Sequence, residues 1–295
     1  MPERVEIAAP AKVNLRLCIL SREESGYHAL ESVFCALSLA DTIVVTRGEP
    51  GTRLHVDGGI DTGPPEKNLA VRAAAAFHAA LGEAAAIDLH LAKRIPSQAG
   101  LGGGSSDAAA VLRALNALQG DPLSRDVLLQ IAIGLGADVP FFLCGSPLAL
   151  AWGRGERLMA LPPLPSRPVL VAKPAWAMPT PEAFGEIARL RGGIYKPVPV
   201  SIDAADLRDW DGIAALAVND FEPAMKGHAS RVRALADAMR SAGARIALLA
   251  GSGSCVFGVF DTEAALEAAA KAIAAPDLQL FRAETLGTMP EPVAS

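Results

Sequence analysis

Residues 96–110 read PSQAGLGGGSSDAAA, and this run constrains the chain more than any other. Gly100, Gly102, Gly103 and Gly104 carry no Cβ, so their backbone N–H groups can approach a ligand closely. Ser105 and Ser106 add hydroxyls, and the alanines after them favour helix. Before the run, 87–91 alternates apolar and polar side chains with the period of a strand. A strand feeding a glycine-rich turn into a helix head gathers unpaired N–H groups and the positive end of a helix dipole at one point. That is a site for a phosphate. The spacing is neither of two familiar phosphate loops. No Gly-Lys-Ser/Thr follows, and counted from Gly100 the last glycine of G-x-G-x-x-G is replaced by Ser105. A plain turn is the simpler alternative. The glycines, two serines and a helix head together favour phosphate.

The 295 residues suggest two domains at roughly 150 residues each. Residues 12–20 alternate cleanly and predict a half-buried strand with Lys12 and Asn14 on one face near its start. Further strands are expected at 42–46 and 53–56. Asn68 can cap a helix over 69–81 with Gly82 at its stop, and helices are expected over 106–118 and 124–135. The cluster Pro162, Pro163, Pro165 and Pro168 marks the expected boundary between domains 1–163 and 164–295. The second half predicts a strand at 169–171 and a helix start at Thr180-Pro181-Glu182, with Thr180 as cap. Helices follow at 228–242 and 263–274. Between them, 245–260 reads as two strands joined at 251–254. The irregular alternation predicts an α+β fold.

Charge and composition exclude several functions. Lys and Arg number 27 against 32 Asp and Glu, a net charge of −5, which argues against a broad nucleic-acid surface. A few local cations could still hold a small anion. The longest uncharged apolar runs, 139–153 and 246–260, fall short of the roughly 20 residues that a membrane span needs. MPERVEIAAP shows no signal-peptide pattern. Cys18, Cys35, Cys144 and Cys255 form no C-x-x-C and read as buried hydrophobes in a reducing, cytoplasmic setting. The five histidines form no metal-binding spacing, so only a metal carried by a nucleotide is expected.

Two residues suggest chemistry. Lys12, where a strand begins, reads on its own as a solvated edge lysine. Asp138, in GADVPFF, is an acid among small and apolar residues and must be paired, capping or functional. Beside a bound nucleoside triphosphate the two make a mechanism. The carboxylate accepts a proton from an alcohol, and the lysine holds it or stabilises the transferring phosphoryl group. A carboxylate is a weak base toward an alcohol. It must therefore act late, and positioning carries most of the catalysis.

The ordered set Pro10-Ala11-Lys12, the run Pro96-Ser97-Gln98-Ala99-Gly100-Leu101-Gly102-Gly103-Gly104-Ser105-Ser106, Gly136-Ala137-Asp138-Val139-Pro140 and Gly251-Ser252-Gly253 resembles the superfamily of galactokinase, homoserine kinase and mevalonate kinase, the GHMP kinases. REESGYHALESVF at 22–34, with Gly26-Tyr27-His28, resembles its branch acting on a cytidyl alcohol. The match covers nearly the whole chain. The resemblance implies a ribosomal-protein-S5-like N-terminal domain that binds ATP and a ferredoxin-like C-terminal domain. It implies ATP, with Mg2+, as donor and 4-diphosphocytidyl-2-C-methyl-D-erythritol as acceptor, phosphorylated on its 2-hydroxyl in the non-mevalonate route to isoprenoid precursors. It makes Lys12 and Asp138 the catalytic pair and 96–106 the ATP loop, with Asn68 and Lys93 on the nucleotide side. Asn14, Tyr27, His28 and Phe184 become substrate residues, with Tyr27 and Phe184 able to stack on cytosine and His28 to read its edge through the backbone. Ser106 is the candidate magnesium ligand. The expected partners are small molecules, with no nucleic acid and no membrane, for a monomer or weak homodimer.

Taken alone, Tyr27 reads as a turn residue and Phe184 as part of a core. The 251–254 loop could touch phosphates or only turn a hairpin. Residues 191–211 match nothing placed and read as a loop-rich linker. Three alternatives stand beside the cytidyl kinase. A sibling kinase for mevalonate, homoserine or a sugar would have no base to stack on Tyr27. A nucleotide-binding module without catalysis would have no use for Lys12 and Asp138. An RNA-binding protein is suggested only by the S5-type fold and is opposed by the charge.

Overall fold

In this computed structural model, residues 2–24, 26–59, 62–193 and 201–295 are described. The N-terminal strands are β1 (Arg4–Arg22), β2 (His28–Arg47), β3 (Gly51–Asp57), β4 (Ala86–Ala92), β5 (Leu148–Gly153) and β6 (Arg157–Ala160). Helices α1 (Leu69–Leu81), α2 (Gly103–Leu118) and α3 (Arg125–Leu135) lie among them. The C-terminal part holds β7 (Pro168–Pro174), β8 (Val218–Asn219), β9 (Ala244–Leu249), β10 (Val256–Phe260), β11 (Leu278–Glu284) and β12 (Val293–Ala294). Its helices are α4 (Thr180–Leu190), α5 (Trp210–Leu216), α6 (Ala229–Ser241) and α7 (Glu263–Ile273). The α+β expectation is met.

The first sheet runs β12-β1-β2-β4-β3, with β5 on β2, β6 on β5 and β8 on β1. The second runs β11-β7-β10-β9. With α4 to α6 between β7 and β9, and α7 between β10 and β11, it has the split βαβ order of a ferredoxin-like unit. It opens at Pro168, the last of the proline cluster, but β8 and β12 return to the first sheet. Sheet membership therefore does not follow a single cut at 163/164.

The long pair β1–β2 organises the molecule. Val5, Ile7 and Ala9 lie in the core with α1 and α2. Ala11, Val13 and Leu15 lie in the core shared with the second sheet, and Leu17 and Ile19 reach a third. Register shifts fall between Pro10 and Lys12 and between Asn14 and Arg16. Such bulges bend a strand and re-aim its side chains. The expected half-buried alternation holds from Leu15 to Leu20, but β1 begins at Arg4, so Lys12 and Asn14 lie in its middle rather than near its start, and they are only 4% and 1% exposed. Both faces are covered, because the polar one closes the floor of a cleft.

Local signals place several elements. Asn68 accepts from Ala70 N at 2.9 Å and caps α1, and Gly82, with φ +70, ends it. Ser124 caps α3. α2 starts at Gly103, three residues before the expected Ser106, so two of the glycines belong to the helix head. At α4 the cap position is Pro179, without a side-chain cap bond. The Thr180 hydroxyl expected to cap lies instead 2.9 Å from Ser252 Oγ. Of the 191–211 linker, residues 194–200 lie outside the described residues; Asp209 then caps α5 through Gly212 N at 2.8 Å. Among the described residues no helix is long and apolar enough to cross a membrane.

Candidate active site

A cleft of about 760 Å³ opens between the glycine-rich loop, the middle of β1 and the head of α4. Lys12, Asn14, Asn68, Lys93, Asp138 and Phe184 line it, as does every residue from 96 to 105.

Lys12 and Asp138 meet on its floor. Lys12 Nζ stands 3.3 Å from Asp138 Oδ2 and donates to Asn14 Oδ1 at 2.9 Å. Its charge also sits 5.2 Å from the centre of the Phe34 ring. Asn14 donates to Ser32 Oγ at 2.7 Å, and Ser32 donates to Arg16 O at 2.6 Å, so a chain of bonds across β1 and β2 fixes the ammonium. Asp138 occupies the cap position of a short 3-10 turn, Val139–Leu143, yet makes no side-chain cap bond there. Its carboxylate is one-third exposed and faces the lysine. The capping alternative therefore gives way to the paired one.

The glycines divide the work in a way the sequence did not show. A Cβ on Gly100 would stand 1.9 Å from Ala250 O, and its φ is +77. A Cβ on Gly102 would meet Lys12 Cγ at 2.9 Å, and one on Gly103 would meet Ile95 at 3.0 Å. These three serve close packing. Of the four, Gly104 alone has room for a Cβ, in ordinary contact with Leu69 Cδ1 at 3.7 Å. The loop is anchored by Lys12 N donating to Leu101 O at 2.9 Å and Cys255 N to Ala99 O at 3.2 Å. The 251–254 loop thus packs on the glycine-rich loop as well as turning a hairpin. Asn219, which carried no sequence signal, holds it by donating to Leu249 O at 2.7 Å and Gly251 O at 2.8 Å.

Lys93 is not a free cation in the cleft. Its ammonium is buried and bonded to Asp41 and Asp107, at the head of α2. Asp41 also accepts from Ile95 N at 2.8 Å. Burial pushes the Asp107 carboxyl up to about 7; the Lys93 charge opposes this, and the Asp41 charge adds to it. Lys93 keeps its charge, since the two carboxylates outweigh the burial that acts against it. This triad ties β2, β4 and α2 under the loop, and nothing in the sequence linked its members. Ser106 is 1% exposed, behind the cleft wall, and its Oγ is buried without a partner. Its hydroxyl therefore does not face the cleft, whereas Ser105 lines it.

At the far end of the cleft the rings of His28 and Phe184 stack, with centroids 4.7 Å apart, and Phe184 meets Phe221 edge-on at 4.9 Å. Burial, with Arg22 and Arg191 nearby, pushes the His28 imidazole below its usual range. Tyr27 stands outside this cluster, 55% exposed, its ring under the Arg154 guanidinium. Arg154, Thr180 and Ser252 also line the cleft, and the sequence had singled out none of their side chains for it.

Known proteins resemble the chain over most of its length. Residues 68–146 match the model for the GHMP kinases N terminal domain, and 201–277 match that for GHMP kinases C terminal. A 4-diphosphocytidyl-2-C-methyl-D-erythritol kinase of Geobacter sp. (strain M21) is 40% identical over 92% of this chain and 95% of its own. One of Thermus thermophilus is 41% identical over 92% and 93%. A crystal structure of 4-(cytidine 5'-diphospho)-2C-methyl-D-erythritol kinase superposes with TM-score 0.77 at 37% identity, covering 95% of this chain and 98% of its own. A homoserine kinase from Cytophaga hutchinsonii shares the fold at TM-score 0.73 and 19% identity, covering 99% and 98%. The chain belongs to the GHMP kinases, in the family of the 4-diphosphocytidyl-2-C-methyl-D-erythritol kinases.

Proposed function

We propose that the chain transfers the γ-phosphoryl group of ATP to the 2-hydroxyl of 4-diphosphocytidyl-2-C-methyl-D-erythritol, giving the 2-phosphate on the non-mevalonate route to isoprenoid precursors. The observation that carries this reading is Lys12 Nζ at 3.3 Å from Asp138 Oδ2, on the floor of a cleft that joins a glycine-rich loop to an aromatic cluster. ATP lies along residues 96–106, its phosphates toward the open side of Gly104 and its base toward Asn68. Lys93 acts here from below, by fixing the head of α2. Residues 1–163 supply most of the ATP side, and 164–295 bring α4 and the 251–254 loop to the acceptor.

Asp138 accepts the proton of the 2-hydroxyl as the new O–P bond forms. The alcohol is tertiary, so a free alkoxide would be costly, and late proton transfer avoids it. Lys12 lies between that carboxylate and the loop, and its charge serves both Asp138 and the transferring group. Asn14 holds Lys12 in line. Tyr27 and the His28–Phe184 stack supply apolar faces for cytosine. Magnesium would enter with the nucleotide phosphates and supply charge neutralisation there; Ser106, walled off from the cleft, is not placed to hold it.

Phosphorus NMR of the product tests the assignment. A new phosphomonoester signal beside an intact diphosphate is expected. Loss of the diphosphate signals, or phosphate on the ribose, would contradict it.

A further inference from the structure

Arg154 sits where β5 turns into β6, and the chemistry above does not use it. Among the described residues four cations line the cleft: Lys12, Lys67, Lys93 and Arg154. Lys12 and Lys93 are engaged by carboxylates, and Lys67 adjoins Asn68 on the nucleotide side. Arg154, whose carboxylate partner Glu23 is exposed, is the cation nearest the acceptor residues.

Its surroundings are those of a held guanidinium. Arg154 Cζ lies 3.6 Å from the centre of the Tyr27 ring, a stacking distance that orients the plane and leaves its edge donors available. One edge nitrogen meets Glu23 Oε2 at 3.2 Å, with both side chains nearly half exposed. A pair of that kind contributes little in water and yields readily to a stronger anion. Glu156 Oε2 accepts from Arg154 N at 2.7 Å and fixes the turn. The next residue, Gly155, is close enough to Asp138 that a Cβ on it would lie 3.9 Å from Oδ1. The turn thus carries Arg154 next to the glycine that approaches the catalytic carboxylate, while its side chain reaches the Tyr27 ring.

The acceptor has the same order of parts: a base, a diphosphate, and the reacting alcohol. With the base at the aromatic residues and the alcohol at Asp138, the diphosphate falls where Arg154 is. We propose that Arg154 reads the diphosphate of the acceptor, with Tyr27 as the platform that keeps its guanidinium in place. This rests on the acceptor assigned above. A planar guanidinium matches phosphate oxygens in pairs, and such charge-assisted bonds are the strong ones.

The test fills the nucleotide site with a non-hydrolysable ATP analogue and Mg2+, then measures binding of CDP and of cytidine. Wild type should bind CDP roughly tenfold or more tightly than cytidine, a difference of about 1.4 kcal/mol or more. Arg154→Gln should bring the ratio close to one, and Arg154→Lys should restore part of it. In turnover the Arg154→Gln loss should fall on KM for the cytidyl alcohol, with KM for ATP unmoved. A residue that only props Tyr27 would weaken CDP and cytidine alike, and an unchanged ratio in Arg154→Gln overturns the proposal. So does a wild type that binds the two equally. Failure of wild type to phosphorylate the cytidyl alcohol would instead remove the acceptor assignment, while the Arg154-dependent binding ratio would still be readable.

Discussion

The ammonium of Lys12 lies 3.3 Å from the carboxylate of Asp138, joining a strand to a 3-10 turn across the floor of the cleft. The lysine is almost wholly buried, while the aspartate stays one-third exposed. The pair is thus fixed on the protein side and open on the substrate side.

Asp138→Asn keeps the shape and removes the base. Turnover should fall by roughly 10²–10⁴-fold, the usual contribution of a positioned general base. ATP affinity, measured by titration, should change by no more than about twofold, since the phosphates are held mainly by backbone N–H groups. Near-normal turnover would remove Asp138 from the proton path.

Asp107 gives stability a pH dependence of known sign. Burial pushes its carboxyl up to about 7 in the fold, from an ordinary value of 3.8. Between those values the folded chain holds a proton that the unfolded chain has released. This contribution is therefore largest at low pH and is lost as pH rises toward about 7. Asp107→Asn removes the slope, so its urea midpoint should gain on wild type steadily from pH 5 to pH 7. Parallel curves would place the Asp107 carboxyl back in the ordinary range.

Two glycines in one loop should behave in opposite ways. Gly100→Ala drives a Cβ into Ala250 O at a left-handed φ, and should cost at least about 1–2 kcal/mol of stability. Gly104→Ala meets nothing closer than 3.7 Å and lies in α2, where alanine is favoured over glycine by about 1 kcal/mol. It should melt no lower than wild type but bind ATP more weakly, because its Cβ enters the open cradle. Unaltered ATP binding in Gly104→Ala would take the phosphates elsewhere.

Elements with caps were legible in the sequence. Asn68, Gly82 and Ser124 each mark an end by a local bond or a left-handed φ, and α1 and α3 appear where they say. β2 was seen only at 42–46, because Val33, Phe34, Cys35, Ala36 and Leu37 are all buried and show no alternation to read. Most motif residues of the site converge on one cleft, which Tyr27, His28 and Ser106 do not line, and their partners were hidden. Asp41, Lys93 and Asp107 meet only in the tertiary fold, and a glycine needed for packing looks in sequence like one needed for an anion. Arg154 escaped notice because its meaning lies in Tyr27 and Asp138, which only the folded hairpin brings near it.

The most direct measurement is ADP release with ATP and Mg2+, offering the diphosphocytidyl alcohol, mevalonate, homoserine and galactose in turn. Turnover with the cytidyl alcohol, and at most trace turnover with the other three, is the predicted result. Efficient turnover of one of those three, with none on the cytidyl alcohol, would keep the fold and the ATP loop but contradict the acceptor and the roles given to Tyr27, His28 and Phe184.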